Sequence, residues 1–245
     1  MQMLIVGLYL KNFCYNYIIK VNVIKKNYII YTMISILLPI YNGIEFLPES
    51  LNSIISQSYK NWELIIGVNG YDKNSPVYKI AKENEKRDKR IKVYDLYTIK
   101  GKSEALNKML FFSNYKWISL IDVDDIWYPT KLKNQIKFTE KYDIIGTNCK
   151  YFGDLNTYPN IPLEDLCDYN FLYGNPIINS SSLIKKELCF WKVNCIEDYE
   201  LWLRLWRQGK KFYNIKTVEV LHRIHKKSAF NSKGHNINSL LNEYK

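Results

Sequence analysis

Glycine is scarce, with 10 residues in 245, and proline scarcer still at 7. That excludes a collagenous, linker-like or low-complexity chain. The five cysteines, at 14, 149, 167, 189 and 195, are odd in number and show no C-x-x-C spacing. This argues against a disulfide framework and against a zinc site, and favours the reduced thiols of a cytoplasmic protein. Long apolar runs are also missing. Met3 to Leu10 is ended by Lys11 and Asn12, well short of the roughly 20 residues that span a bilayer. It has neither a basic leader nor a small-residue cleavage site. Residues 1–32 read as an N-terminal extension or an upstream translated stretch, with a peripheral membrane anchor as the weaker alternative.

Acid is unevenly distributed. Residues 1–33 hold four lysines and no acid, and residues 210–245 hold eight bases against two acids, so the body between is close to neutral although the formal charge is +11. A nucleic-acid-binding domain carries its charge on the folded body, so no nucleic-acid partner is expected. Basic ends fit an anionic phosphate ligand, peripheral contact with a membrane, or solubility. Hydrophobic residues make up 47% and aromatics 15%, enough core for one large α/β domain or two small ones.

From residue 34 strand and helix patterns alternate, which implies a parallel sheet with right-handed crossovers. Strands are expected at 34–40, 62–68, 91–94, 118–121, 143–151 and 212–222. Helices are expected at 45–57, 74–89 (with Val77, Ile80 and Ala81 inward), 103–112 and 198–208. Residues 154–180, rich in Asn, Pro and Tyr, read mainly as loop. The fitting organisation is a single domain over 33–230, with a nucleotide-binding half at 33–126, an acceptor half at 127–230 and a basic tail at 231–245.

The chemistry concentrates in ISLIDVDDIWYPTKL, residues 118–132. An apolar strand stops at Asp122, Asp124 and Asp125. Carboxylates there are costly to bury unless paired or bound to a cation, and the C-terminal edge of an open sheet is where ligands bind. The layout suits Mg²⁺ or Mn²⁺ bridging protein and phosphate oxygens; a solvated acidic turn before Pro129 explains the same residues. Glu197 and Asp198 open an aromatic helix, where acids also serve as caps. Asn42 fits an N-cap. Gly101-Lys102-Ser103 is not a P-loop, because Leu96 stands where that loop needs glycine.

Several blocks occur in an order that resembles glycosyltransferase family 2, the GT-A fold of nucleotide-sugar transferases. They are ISILLPIYNG (34–43), SIISQSYKNWELII (53–66), GKSEALN (101–107), LIDVDDIWYPTKL (120–132), EDYELWLRL (197–205) and HRIHKKS (222–228). The resemblance implies a Rossmann-like, mainly parallel sheet flanked by helices, and a metal-dependent, inverting transfer from a nucleotide diphosphate donor, a UDP-sugar, to a glycan, lipid or protein hydroxyl. It implies Asp198 as catalytic base and Asp124, Asp122 and His225 as ligands of Mn²⁺ or Mg²⁺. Pro39, Tyr41, Asn42, Asn69, Lys102, Asn107, Asp122 and Arg223 would bind the nucleotide sugar. Val68-Asn69 departs from the family's paired aspartates at that point, which bears on the donor base and also fits a non-catalytic relative. Whether His222 or His225 faces the site stays open. Trp127 and Tyr128 are candidates for ligand contact, while core packing suits Trp202 and Trp206.

Overall fold

A computed structural model of the protein describes residues 32–226 and 237–245. The extension expected at residues 1–32 therefore lies, Thr32 aside, outside the described residues. Contacts divide the chain between Thr32 and Met33, and all that follows concerns the unit from Met33 onward.

Strands β1 (Ile34–Ile40), β2 (Trp62–Asn69), β3 (Ile91–Leu96) and β4 (Trp117–Leu120) run parallel in the order β3-β2-β1-β4. β1 and β4 are buried on both faces and apolar but for Ser35 and Ser119, as strands covered by helices are, and only Pro39 of β1 is not fully buried. The crossovers are α1 (Leu47–Ile55), α2 (Pro76–Glu83) and α3 (Lys102–Phe112). Capping explains where α2 begins. The Ser75 hydroxyl accepts the Tyr78 N–H at 3.1 Å and Pro76 takes the first turn, which fixes α2 two residues later than the periodicity suggests. Its expected end shortens too, because residues 84–86 tighten into a 3₁₀ turn. Ala81 of α2 is buried, but Ile80 faces solvent. A 3₁₀ turn, Ile44–Phe46, precedes α1 and is capped by Gly43 at φ 85°. Asn42 is not the cap: its side-chain oxygen instead accepts the Tyr71 hydroxyl at 3.4 Å.

The second half adds β5 (Ile126–Trp127), α4 (Lys131–Gln135), β6 (Ile144–Gly153), β7 (Glu164–Asp165), β8 (Leu183–Lys185), α5 (Glu197–Arg207), β9 (Phe212–Ile224) and α6 (Ile237–Glu243). β8 is antiparallel to both β4 and β6 and joins the two halves into one sheet. β9 runs parallel to β6 and takes β5 and β7 as antiparallel neighbours. Most paired residues are in parallel register, so the protein is the α/β sheet with flanking helices that the pattern suggests. The described part of the basic tail is not free. Leu240 of α6 is buried with the aromatic face of α5, and the Tyr244 hydroxyl donates to Glu200 Oε1 at 2.5 Å. No described helix is long and apolar enough to cross a membrane.

β1 has β2 on one side and β4 on the other. Chain leaving the C-terminal ends of β1 and β4 therefore borders one crevice, the switch point where open α/β sheets take ligands.

Candidate active site

That crevice is a cleft of about 600 Å³. Pro39, Tyr41 and Asn42 line it from the end of β1, Asn69 and Tyr71 from the end of β2, Lys102 from the start of α3, and Asp122 and Asp124 from the end of β4. His225 enters from beyond β9. Gly70, at φ 81°, lets the Tyr41 ring lie close: a Cβ there would come within 2.6 Å of it. Tyr41 and Tyr71 face one another with ring centroids 6.2 Å apart.

The acidic strand end and the start of α5 meet through one lysine. Lys102 Nζ lies 2.7 Å from Asp122 Oδ1 and 3.2 Å from Glu197 Oε1. Burial alone would lower the Lys102 ammonium, but the charges of Asp122 and Glu197 outweigh it and raise it. Burial pushes the Asp122 carboxyl upward, and the charge and hydrogen bond of Lys102, with the Asn179 amide, overcome this and hold it below the usual range. Its backbone N–H donates to Ser180 Oγ at 2.9 Å. Asp124 behaves oppositely, raised by burial and by the charges of Asp125 and Asp122. His225 Nε2 sits 3.0 Å from Asp124 Oδ2.

Asp125 does different work from its neighbours. It is fully buried, accepts the Arg223 N–H at 2.8 Å and pairs with His222 Nδ1 at 2.9 Å. Burial would depress the His222 imidazole, but Asp125 outweighs it and the imidazole is pushed up to about 9. Asp125 thus ties β9 to the acidic turn, and of the two histidines His225 is the one that reaches the cleft. Arg223 donates to the Asp124 carbonyl at 2.9 Å and to Glu49 at 2.7 Å, and lies between the Phe46 and Phe152 rings.

Asp198, at the first turn of α5, accepts the Tyr199 N–H at 2.7 Å and an Asn175 amide hydrogen at 3.0 Å. Burial and then the Glu197 charge push its carboxyl up to about 6, against the opposing pull of Lys102 and these two donors.

Asn107 does not join the site. Its amide is committed to the backbone of Trp191, donating to the carbonyl at 2.8 Å and accepting the N–H at 3.0 Å. Trp127 is likewise no ligand contact, because it is buried and donates to the Ser180 carbonyl at 2.8 Å. Trp202 packs in the core and donates to the Ile177 carbonyl at 3.1 Å. Asn175, Asn179 and Ser180 touch site carboxylates or their backbone; the one local pattern among them, the formal N-x-S sequon at Asn179-Ser180-Ser181, does not point to this role.

Asp124 and His225 offer an oxygen and a nitrogen donor side by side, a set that a divalent cation accepts. Among the described residues no three His, Cys, Asp or Glu side chains stand together as a metal cage. Asp122 is already engaged by Lys102 and Asn179.

The family model of glycosyl transferase family 2 matches residues 35–190. The chain belongs to this family. As a family 2 glycosyltransferase it is 28% identical over 202 residues to an Escherichia coli protein, WfaP, named as a UDP-Glc:α-D-GlcNAc-diphosphoundecaprenol β-1,3-glucosyltransferase. That match covers 79% of this chain and 78% of WfaP. Among solved structures, residues 1–349 of Staphylococcus aureus TarS with UDP-GlcNAc align at a TM-score of 0.69 and 16% identity, covering 83% of this glycosyltransferase and 62% of TarS. The mannosyltransferase PcManGT of Pyrobaculum calidifontis, with GDP-Man and Mn²⁺, aligns at 0.64 and 14% identity, covering 81% and 59%. The chain spans about three-fifths of each of these solved chains, and both likenesses establish the GT-A fold.

Proposed function

We propose that this glycosyltransferase moves a sugar from a UDP-sugar to a hydroxyl of a growing glycan or glycoconjugate, with inversion at the anomeric carbon. The observation that carries the reading is Lys102, which joins Asp122 at the sheet edge to Glu197 beside Asp198. Lys102, which itself lines the cleft, thereby bridges a donor-side acid to the start of the helix that carries Asp198. The nucleotide would rest against Pro39, Tyr41, Asn42 and Asn69. The diphosphate would approach Lys102 and the Asp122–Asp124 turn; Arg223, which does not line the cleft, would act there by holding the Asp124 carbonyl.

In the reaction the bond from the anomeric carbon to the diphosphate breaks as the acceptor oxygen bonds to that carbon, and the hydroxyl proton passes to Asp198. A carboxylate raised to about 6 is ionised at neutral pH and a stronger base than an ordinary aspartate; such a group contributes about 10²–10⁴-fold. Asp124 and His225 would hold Mn²⁺ or Mg²⁺, which would offset charge growing on the leaving diphosphate. A single base without a nucleophile partner supports inversion. WfaP's printed acceptor is a lipid-linked diphosphosugar, and an acceptor of that class, met from the cytoplasmic side of a membrane by peripheral contact, is the first to assay.

A thermal-shift screen of nucleotide sugars, each with and without Mn²⁺, tests the reading, because a ligand of the native state raises its melting temperature. A UDP-sugar that raises it only with the cation supports the proposal. No shift with any nucleotide sugar overturns it.

A further inference from the structure

Segment 175–182, with a 3₁₀ turn at Asn179–Ser181, is pinned from every side. Its Pro176 carbonyl accepts from Asn214 of β9 at 2.8 Å, and its Ile177 carbonyl accepts from Trp202 of α5 at 3.1 Å. The Ser180 carbonyl accepts from Trp127 at 2.8 Å, the Ser181 carbonyl from Gln135 at 2.8 Å, and the Ser182 carbonyl from Ser119 at 2.8 Å. Backbone that is fixed by five separate elements is a rigid support, and sites on rigid supports hold their geometry. From this one support two amides reach out, four residues apart. Asn175 Nδ2 donates to Asp198 Oδ2 at 3.0 Å, and Asn179 Nδ2 donates to Asp122 Oδ1 and Oδ2 at 3.3 and 3.2 Å.

The Asn179 orientation is informative. The residue is 8% exposed and its Oδ1 is buried with no partner among the described residues. An orphaned buried acceptor costs about 1–3 kcal/mol, and turning the amide over would aim that oxygen at the Asp122 carboxylate instead. The contact with Asp122 is therefore retained at a cost.

Resting on the glycosyltransferase reading of the cleft, we propose that segment 175–182 is a positioning strap. Its Asn175 and Asn179 amides hold the base Asp198 and the donor-side Asp122 in one fixed relation. Neither asparagine contacts reacting atoms. Each acts through its carboxylate, and together they keep the acceptor-activating and diphosphate-binding groups in register. The groups that set the Asp198 charge are Glu197 on its own helix, Lys102 of α3, the Asn175 amide and the Tyr199 N–H. Of these, only the amide belongs to the strap.

The test uses the full chain in two arms. In the first, the Asp198 carboxyl is titrated by ¹³C NMR, assigned with Asp198→Asn, in wild type, Asn175→Ala and Asn179→Ala. Loss of a donor to the charged form raises a carboxyl pKa, so Asn175→Ala is expected to move the midpoint up by about one unit, with Asn179→Ala leaving it in place. In the second, UDP binding with Mn²⁺ is measured by calorimetry, and Asn179→Ala is expected to weaken it about tenfold, as loss of a supporting contact at a metal-linked site does. An unmoved Asp198 midpoint in Asn175→Ala, or unchanged UDP affinity in Asn179→Ala, overturns the strap. Should a variant not fold, the wild-type Asn175 side-chain amide resonance reports instead. It is expected to shift with the Asp198 midpoint, and a resonance flat through that range overturns the proposal. Failure of wild type itself to bind UDP would count against the donor assignment, while the Asp198 arm still reads the strap.

Discussion

Lys102 Nζ lies between Asp122 Oδ1, at 2.7 Å, and Glu197 Oε1, at 3.2 Å. The lysine neutralises two carboxylates that belong to opposite halves of the fold, and it is one of the groups that lower the Asp198 carboxyl. Replacing it with methionine leaves two half-buried acids facing each other. Lys102→Met is expected to weaken UDP-sugar binding by about tenfold or more, since unpaired buried charge is costly. It also raises the Asp198 midpoint, moving the acidic limb of kcat/KM to higher pH. Steady-state kinetics across pH 5–8 read both effects.

His225 and Asp124 face each other across 3.0 Å. If they share a cation, His225→Ala lowers Mn²⁺-linked UDP affinity while leaving metal-free UDP affinity alone, and Asp124→Ala does the same more strongly. Calorimetry with and without chelator separates the two terms. Equal losses in both conditions would assign the pair a structural role.

Lys131 is buried in the core, where Nζ donates to Ser119 Oγ at 3.0 Å and Gln135 Oε1 at 2.9 Å and lies 3.8 Å from the Trp127 ring centroid. Burial drives its ammonium well below the ordinary lysine value, with Glu219 opposing only in part. The folded pKa is therefore below the unfolded one, and between the two the unfolded chain binds the extra proton. Stability from this group then rises with pH. Relative to Lys131→Met, wild type is expected to gain up to about 1.4 kcal/mol per pH unit through this window, read from urea midpoints at pH 7 and 9. A constant difference would mean that the buried amine keeps its proton.

The first half of the fold was legible because its signals are local. Buried parallel strands are continuous apolar runs, and α1 and α3 repeat their apolar residues at helical spacing. The acidic end of β4 and the Glu197-Asp198 pair stood out for the same reason, since charge beside an apolar run is conspicuous. What escaped depends on distant partners. β8 is three residues long and is defined only by pairing with β4 and β6. Asn107 sits in a suggestive block, yet its amide holds the Trp191 backbone 84 residues away. Asn175 and Asn179 lie in a stretch whose composition reads as loop, and their meaning comes from carboxylates 23 and 57 positions distant. Asp125 looked like its acidic neighbours until its burial against His222 separated it from them.

Asp198 is the proposed base, so the most direct measurement is UDP release by wild type and Asp198→Asn, with UDP–Mn²⁺ binding recorded on the same samples. Wild type is expected to lose kcat/KM below about pH 6, where the carboxyl takes up its proton. The variant is expected to bind as wild type does but to turn over about 10²–10⁴-fold more slowly, with the acidic limb gone. A variant that turns over at the wild-type rate with the same pH profile would contradict a base at this position and, with it, the proposed mechanism.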